Sequence, residues 1–366
     1  MEEKKASRNG LVDVMRLGFA GMVMMYHFYS NGKIYFPGGY LGVEFFSILA
    51  GFLMFSAWDR QCVAARPIEE RQRYWLGYMK KRYIRFFWYC LVAFIFEFIV
   101  VRIWHDGLHS AAGICDALSD DIWEILLVKM NGLTHGKHLL NAPAWTMGCM
   151  LFADFFVLGM LVFWERPFQY LIMPLSIIFG IGWWMNLENN SILGFHTFST
   201  FGMIRVYLLT CCGMLSYNIC KRLKASSFSK EGKGLLTFAE VGGYILCILI
   251  SCYRNSREYQ FCFILIVTIT LAASFSRKSF AGSILPANNF TSFCAELSLG
   301  IYLNHHTVWR LFRYIYGDVN DLYRQKFVFL YCALAVALAY TYIMRGVFKM
   351  LPIVKEKLKS VLLEQS

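Results

Sequence analysis

Charge is what this chain has least of. Asp, Glu, Lys and Arg together make up 16% of its 366 residues, against about 25% in a typical soluble protein. No hydrophilic block is long enough to fold as a separate soluble domain, so the chain is expected to be one integral membrane domain over 1–366. The N-terminal apolar run does not read as a secretory leader either. The first apolar run is interrupted by Asp13 and Arg16, and no small-residue cleavage site follows it, so the first helix is expected to be retained. The twelve cysteines contain no CxxC spacing, and most, including Cys90, Cys149, Cys211, Cys212 and Cys262, lie inside apolar runs, where Cys behaves as a small hydrophobe. That argues against a disulfide scaffold and a metal site, and no metal is expected. No internal repeat or low-complexity segment is detectable.

What the chain has is apolar length. Residues of the apolar set reach 57% and aromatics 17%, gathered into runs of about 20, the length that crosses a bilayer. The pattern predicts an all-α bundle of ten spans at roughly 11–29, 38–57, 84–104, 143–164, 168–186, 199–219, 235–253, 259–276, 293–314 and 326–346. With the N-terminus inside, the cytoplasmic segments hold 24 of the 36 Lys and Arg, the outer segments 10, and Arg16 and Arg205 fall within spans. This bias sets both termini in the cytoplasm. It also accounts for the net charge of +12 without nucleic acid, for which no soluble basic domain exists. Trp104, Trp164 and Tyr253 fall at span ends, as an interfacial aromatic belt predicts. The tail, KMLPIVKEKLKS, reads as an interfacial helix on anionic lipid, and 220–234 as a flexible basic linker.

The stretch from Arg16 to Phe52 reads as two membrane helices joined by a turn, and it carries three ionisable residues at membrane depth. Arg16 and His27 are eleven residues apart, about three helical turns, so they share a face with roughly 16 Å between them along the axis. Glu44 lies a few residues into the returning helix, at a depth close to that of His27. Charges in hydrocarbon are costly and mark pathways or reaction sites. A carboxylate holding one imidazole nitrogen leaves the other free as a base, so Glu44 is expected to orient His27 for removing a proton from a hydroxyl. A second polar cluster, SLGIYLNHH, brings Tyr302, His305 and His306 into the outer half of the ninth span. One of the two histidines is expected to face headgroups or water. Glu296, near the inner end, is expected to pair with a basic loop residue.

Two loops stand out. The basic segment at 58–83 runs into KKRYIRFF, where Arg82 and Arg85 lie one turn apart and can point at the same anion. With Lys80 and Lys81 they form a candidate phosphate-binding patch, the bland alternative being a positive-inside anchor. The outer segment at 105–142 carries Asp106, Asp116, Asp120, Asp121 and Glu124 beside apolar residues and reads as a short amphipathic surface element, a candidate lid.

Arg16 with His27, followed by GYLGVEFFSILAGF, resembles the first two helices of the membrane-bound acyltransferase family 3. KKRYIR is similar to that family's arginine pair, here Arg82 and Arg85. SLGIYLNHH resembles its late signature at Ser298, Tyr302, Leu303 and His305, and PAWTMG at 143–148 more loosely resembles the start of its fourth helix. These motifs touch about a quarter of the chain. The family's second helix usually reads Leu-Ser-Gly, and here Leu49-Ala50-Gly51 leaves no serine nucleophile. The resemblance implies transfer of an acyl group, usually acetyl, from cytoplasmic acyl-coenzyme A to a hydroxyl of an extracytoplasmic carbohydrate or lipid-linked glycan, in a bacterial plasma membrane and alongside cell-envelope biosynthesis proteins. His27, Glu44, Arg16, Tyr302 and His305 would form the catalytic set, and Lys81, Arg82 and Arg85 would hold the donor. The rival reading is a transporter or flippase of a polysaccharide intermediate, since buried His, Glu and Arg also serve proton relays. The lack of an inverted repeat and of matched broken spans argues against it.

Overall fold

The computed structural model describes residues 8–30, 33–129, 139–186, 195–196, 199–253, 257–281, 285–317 and 325–364. Its helices in chain order are α1 (Gly10–His27), α2 (Gly42–Arg60), α3 (Ile68–Phe98), α4 (Ala111–Ile125), α5 (Trp145–Pro167), α6 (Met173–Met185), α7 (Phe201–Ala225), α8 (Lys230–Cys252), α9 (Arg257–Ser276), α10 (Asn289–Tyr316) and α11 (Lys326–Glu364). Two antiparallel ribbons of two residues per strand, Tyr29–Ser30 with Lys33–Ile34 and Phe195–His196 with Ser199–Thr200, accompany them. Each of the ten expected spans overlaps one helix, and α4 is the addition.

Among the described residues, seven segments are long and apolar enough to cross a membrane, one of them the continuous stretch Ala142–Met185 that takes in both α5 and α6. This stretch breaks where Trp164 leaves helical geometry (φ −136°, ψ 49°) just before Pro167. The protein is therefore a multi-pass helical membrane protein. α1 and α10 are not among the seven segments. The reason is chemical: α1 carries Asp13, Arg16 and His27, and α10 carries Glu296, two histidines and Arg310.

Polarity is inverted relative to a soluble domain. Ile178, Phe179, Leu235 and Phe238 are exposed, while Glu44, Glu97, Asp154 and Glu240 are fully buried. In lipid, charged groups must turn inward and find partners.

Several expected loops are helical. Most of 58–83 belongs to α3, which starts at Ile68 because Glu69 and Glu70 occupy its first turn, where carboxylates favour the N-terminal dipole, and because the residues that follow are good helix formers. The 220–234 linker shortens to 226–229 between α7 and α8, and the backbone of the tail continues α11. The acidic outer segment forms α4, capped by Ser110, whose hydroxyl accepts from Gly113 N. Part of that segment, 130–138, lies outside the described residues, as do 254–256 and 282–284 between expected spans.

α2 and α7 cross in backbone contact. A Cβ on Gly51 would strike the Thr210 backbone, and one on Gly213 would strike the Ile48 carbonyl and the Phe52 amide. Small residues allow this closeness in membrane bundles. Glu44, Ile48 and Gly51 share one face of α2 by helical spacing. The crossing therefore turns Glu44 toward α7 and leaves Val43, Phe46, Ala50 and Leu53 on the opposite face.

Candidate active site

That opposite face lines a cavity of about 460 Å³ between α1, α2, α3, α5 and α10. Val43 and Leu53 both border it, ten residues or about 15 Å apart along α2. It is therefore elongated, and its walls are mostly apolar.

One end is cationic, lined by Arg16, Lys81, Arg82 and Arg85. α3 brings the last three onto the cavity because they sit on helix rather than in a loop. These four cations are not equivalent. Arg82 is ion-paired with the fully buried Asp154 of α5, and its guanidinium lies 4.8 Å from the Phe86 ring centroid. Arg16 is 3.8 Å from Asp13, which Arg8 already holds at 2.6 Å, and the buried Nε of Arg16 has no hydrogen-bond partner among the described residues. Lys81 and Arg85 are exposed, and neither makes an ion pair among the described residues.

The other end is capped by Tyr302, whose hydroxyl is 2.9 Å from Thr146 Oγ1 and whose ring is 5.8 Å from that of Phe46. One turn further along α10 lie the histidines. His305 is buried, with Nδ1 2.7 Å from the Tyr302 carbonyl and 3.2 Å from that of Ile301. Carbonyl oxygens only accept, so Nδ1 carries the proton and Nε2 keeps its lone pair. Nε2 is buried and has no hydrogen-bond partner among the described residues. The His27 ring, at the end of α1, is 5.2 Å from that of His305 and 6.1 Å from that of His306. Unlike His305, His27 is exposed. His306 is 3.4 Å from the buried Glu97 of α3, which Arg310 holds at 3.0 Å.

The family model described as an acyltransferase domain, that of acyltransferase 3, matches residues 9–345. The chain belongs to the acyltransferase 3 family. No curated protein and no solved structure matches it.

In this acyltransferase the predicted site residues fall into three groups. Arg16, Lys81, Arg82, Arg85 and Tyr302 border one cavity. His27 and His305 face each other just beyond Tyr302. Glu44 stands apart: it is fully buried and paired with Arg205 of α7. The expectation that Glu44 orients His27 is therefore corrected. The Gly51–Gly213 crossing directs Glu44 the other way, onto a guanidinium that also lies 5.4 Å from the Trp184 ring and 6.0 Å from the Trp145 ring. Nor does either late histidine turn outward, since His305 is buried and His306 is held by Glu97. Glu296 does find a cation, but on a helix: Arg345 of α11, at 2.7 Å.

Sequence reasoning missed Asp154 and Glu97, and it counted Arg205 as intramembrane without giving it a partner. The signal was available, because each is a lone ionisable residue in an apolar run.

The acidic outer segment is tied to the same region. Glu124 accepts from the backbone amides of Leu140 (2.7 Å) and Asn141 (2.6 Å). Asn141 in turn donates to the Leu303 carbonyl at 3.1 Å, two residues from His305. Burial pushes the Glu124 carboxyl up to about 7, against the pull of those amides and of Lys129.

Proposed function

We propose that this acyltransferase moves an acyl group, acetyl in the first instance, from acyl-coenzyme A at the cationic end to a hydroxyl of a carbohydrate or lipid-linked glycan at the histidine end. In this reading ten helices span a bacterial plasma membrane with both termini in the cytoplasm. α1 and α10 are the two spans whose polar residues serve the reaction. Cell-envelope biosynthesis proteins would supply the acceptor.

One observation carries the reading. A single apolar cavity runs from Arg16, Lys81 and Arg85 to Tyr302, whose backbone carbonyl fixes the ring of His305 beside His27. The exposed Lys81 and Arg85, and the unpartnered Nε of Arg16, suit the phosphates of a coenzyme. The donor supplies the activated acyl thioester. His27, exposed at the far end, takes the hydroxyl proton as the alcohol oxygen attacks the thioester carbonyl. The new C–O bond forms, the C–S bond breaks, and the thiolate leaves with its electron pair and is protonated by the imidazolium. His305, with Nδ1 anchored and Nε2 free, positions His27 and shares its proton. The Tyr302–Thr146 pair stands at the junction, where it can hold the thioester carbonyl.

The test is thiol release from acetyl-coenzyme A by purified protein in lipid nanodiscs, with and without candidate glycans. His27→Ala is expected to lower acyl transfer by about 10²–10⁴-fold, the usual contribution of a positioned base, with membrane abundance unchanged. Retained transfer in that variant rejects His27 as the base. Absence of both release and donor binding by folded wild-type protein rejects the acyltransfer reading in favour of a carrier.

A further inference from the structure

The cationic end of the cavity adjoins a second space. A groove of about 830 Å³ lies between α3, α10 and α11 and shares Arg85 and Tyr89 with the first cavity. Three cations border it, Arg85, Arg345 and Lys349, all exposed. Three half-buried aromatics, Tyr89, Phe293 and Phe348, form its apolar wall. Glu296 holds Arg345 at 2.7 Å, which keeps that guanidinium 5.2 Å from the Phe293 ring centroid. With Arg345 neutralised by Glu296, the groove's net positive charge comes from Arg85 and Lys349.

Aromatic faces beside unpaired cations are the chemistry that binds a base and its phosphates: the rings stack on the base, and the ammonium and guanidinium meet the charge. The first cavity is unsuited to that task. At about 460 Å³ it lies in the lower part of the range for ligand sites, and its apolar length matches a thin acylated arm rather than a charged nucleotide. A donor whose arm fills it must leave its nucleotide outside, and Arg85 and Tyr89 mark where the two spaces meet.

Resting on the acyl-coenzyme A reading above, we propose that the α3–α10–α11 groove is the nucleotide subsite. The adenine lies against the Phe293 and Phe348 wall, a phosphate meets Lys349, and Arg85 serves the pyrophosphate where arm and nucleotide join. Anionic lipid headgroups share the phosphate chemistry, so the experiment separates the two.

The full-length protein is placed in nanodiscs of neutral phosphatidylcholine, and binding of adenosine 3′,5′-bisphosphate is measured. Thiol release is followed with acetyl-coenzyme A and with S-acetylpantetheine, which lacks the nucleotide. Lys349→Glu is expected to weaken bisphosphate binding by about tenfold, the loss of one charge-assisted contact. The KM for acetyl-coenzyme A rises by a similar factor while kcat holds, and the KM for S-acetylpantetheine does not follow. Lys349→Arg restores binding, and Phe293→Ala weakens it without altering the response to salt.

Bisphosphate affinity unchanged in both Lys349→Glu and Phe293→Ala overturns the subsite. So does a KM for S-acetylpantetheine that rises in step with that for acetyl-coenzyme A. If a parallel set of nanodiscs containing phosphatidylglycerol abolishes bisphosphate binding by wild-type protein, and Lys349→Glu releases that lipid, the groove is a lipid site and the proposal fails. Wild-type protein that binds the bisphosphate through Lys349 yet releases no thiol supports the subsite and overturns the acyl-donor reading instead.

Discussion

Two sets of arginines stand in this bundle or border its cavity, and they are partnered differently. Arg82 and Arg205 are each ion-paired with a fully buried carboxylate, Asp154 and Glu44 respectively. Arg16 and Arg85 border the cavity with little or no such compensation. The side-chain type is the same, and its partner decides the role. A guanidinium ion-paired with a buried carboxylate fixes helices to one another, α3 to α5 and α2 to α7. One left without a full partner keeps its charge available to an anionic ligand.

The comparison can be broken most forcefully at the paired set. Arg205→Met strands Glu44 as an unpaired buried charge, a defect expected to cost about 3–5 kcal/mol, read as loss of folded protein in detergent. The double variant Glu44→Gln with Arg205→Met removes both charges and is expected to recover most of that loss. Failure of the double variant to recover would show that Arg205 serves something other than Glu44. Arg85→Gln tests the second set. It should leave thermal stability unchanged while raising the KM for acyl donor about tenfold, the scale of one charge-assisted contact. A fall in stability without a change in KM would place Arg85 with the structural arginines. Lys81→Gln, which removes an exposed point charge, is expected to raise the same KM only about threefold, as befits a screened surface charge.

The smallest effect belongs to a carboxylate outside the spans. Glu124 titrates at about 7 in the folded protein against a reference of 4.5, so folding favours its protonated form. Its contribution is fully present below pH 4.5 and is lost as pH rises through about 7. The protection of the Leu140 and Asn141 amides, taken relative to their intrinsic base-catalysed exchange, should therefore fall over that interval in wild-type protein. Glu124→Gln should flatten the profile, and a profile that keeps its slope in the variant would assign the pH dependence to another group.

Much of the fold was legible because a span needs only length and apolarity, and each expected span overlaps a helix. The two expected spans absent from the seven span-like segments, α1 and α10, carry His27, His305 and His306. Polarity that weakens a membrane assignment is what a reaction site in a membrane requires. Pairings were harder to read. Glu44 and His27 share a depth, but depth does not say which way a side chain points around its helix. That angle was set by Gly51 meeting Gly213, a contact between segments about 160 residues apart that no local pattern encodes. Asp154 and Glu97 carried a readable signal, yet their partners on other helices did not follow from it. Arg82 was recognised as a cation near the coenzyme, while its neutralisation by Asp154 depended on how α5 packs against α3.

The glycine seam between α2 and α7 has an effect on the far side of the helix that carries it. Ala50 and Leu53 form part of the cavity wall, and Gly51 between them faces the seam. Where that wall stands is gauged from behind: the absence of one methyl group at the seam lets α2 settle against α7 and opens room in front. The width of the bore is thus calibrated at a place that does not line it. Widening or narrowing the bore would begin at two hydrogen atoms on the seam behind it, before any residue that lines it.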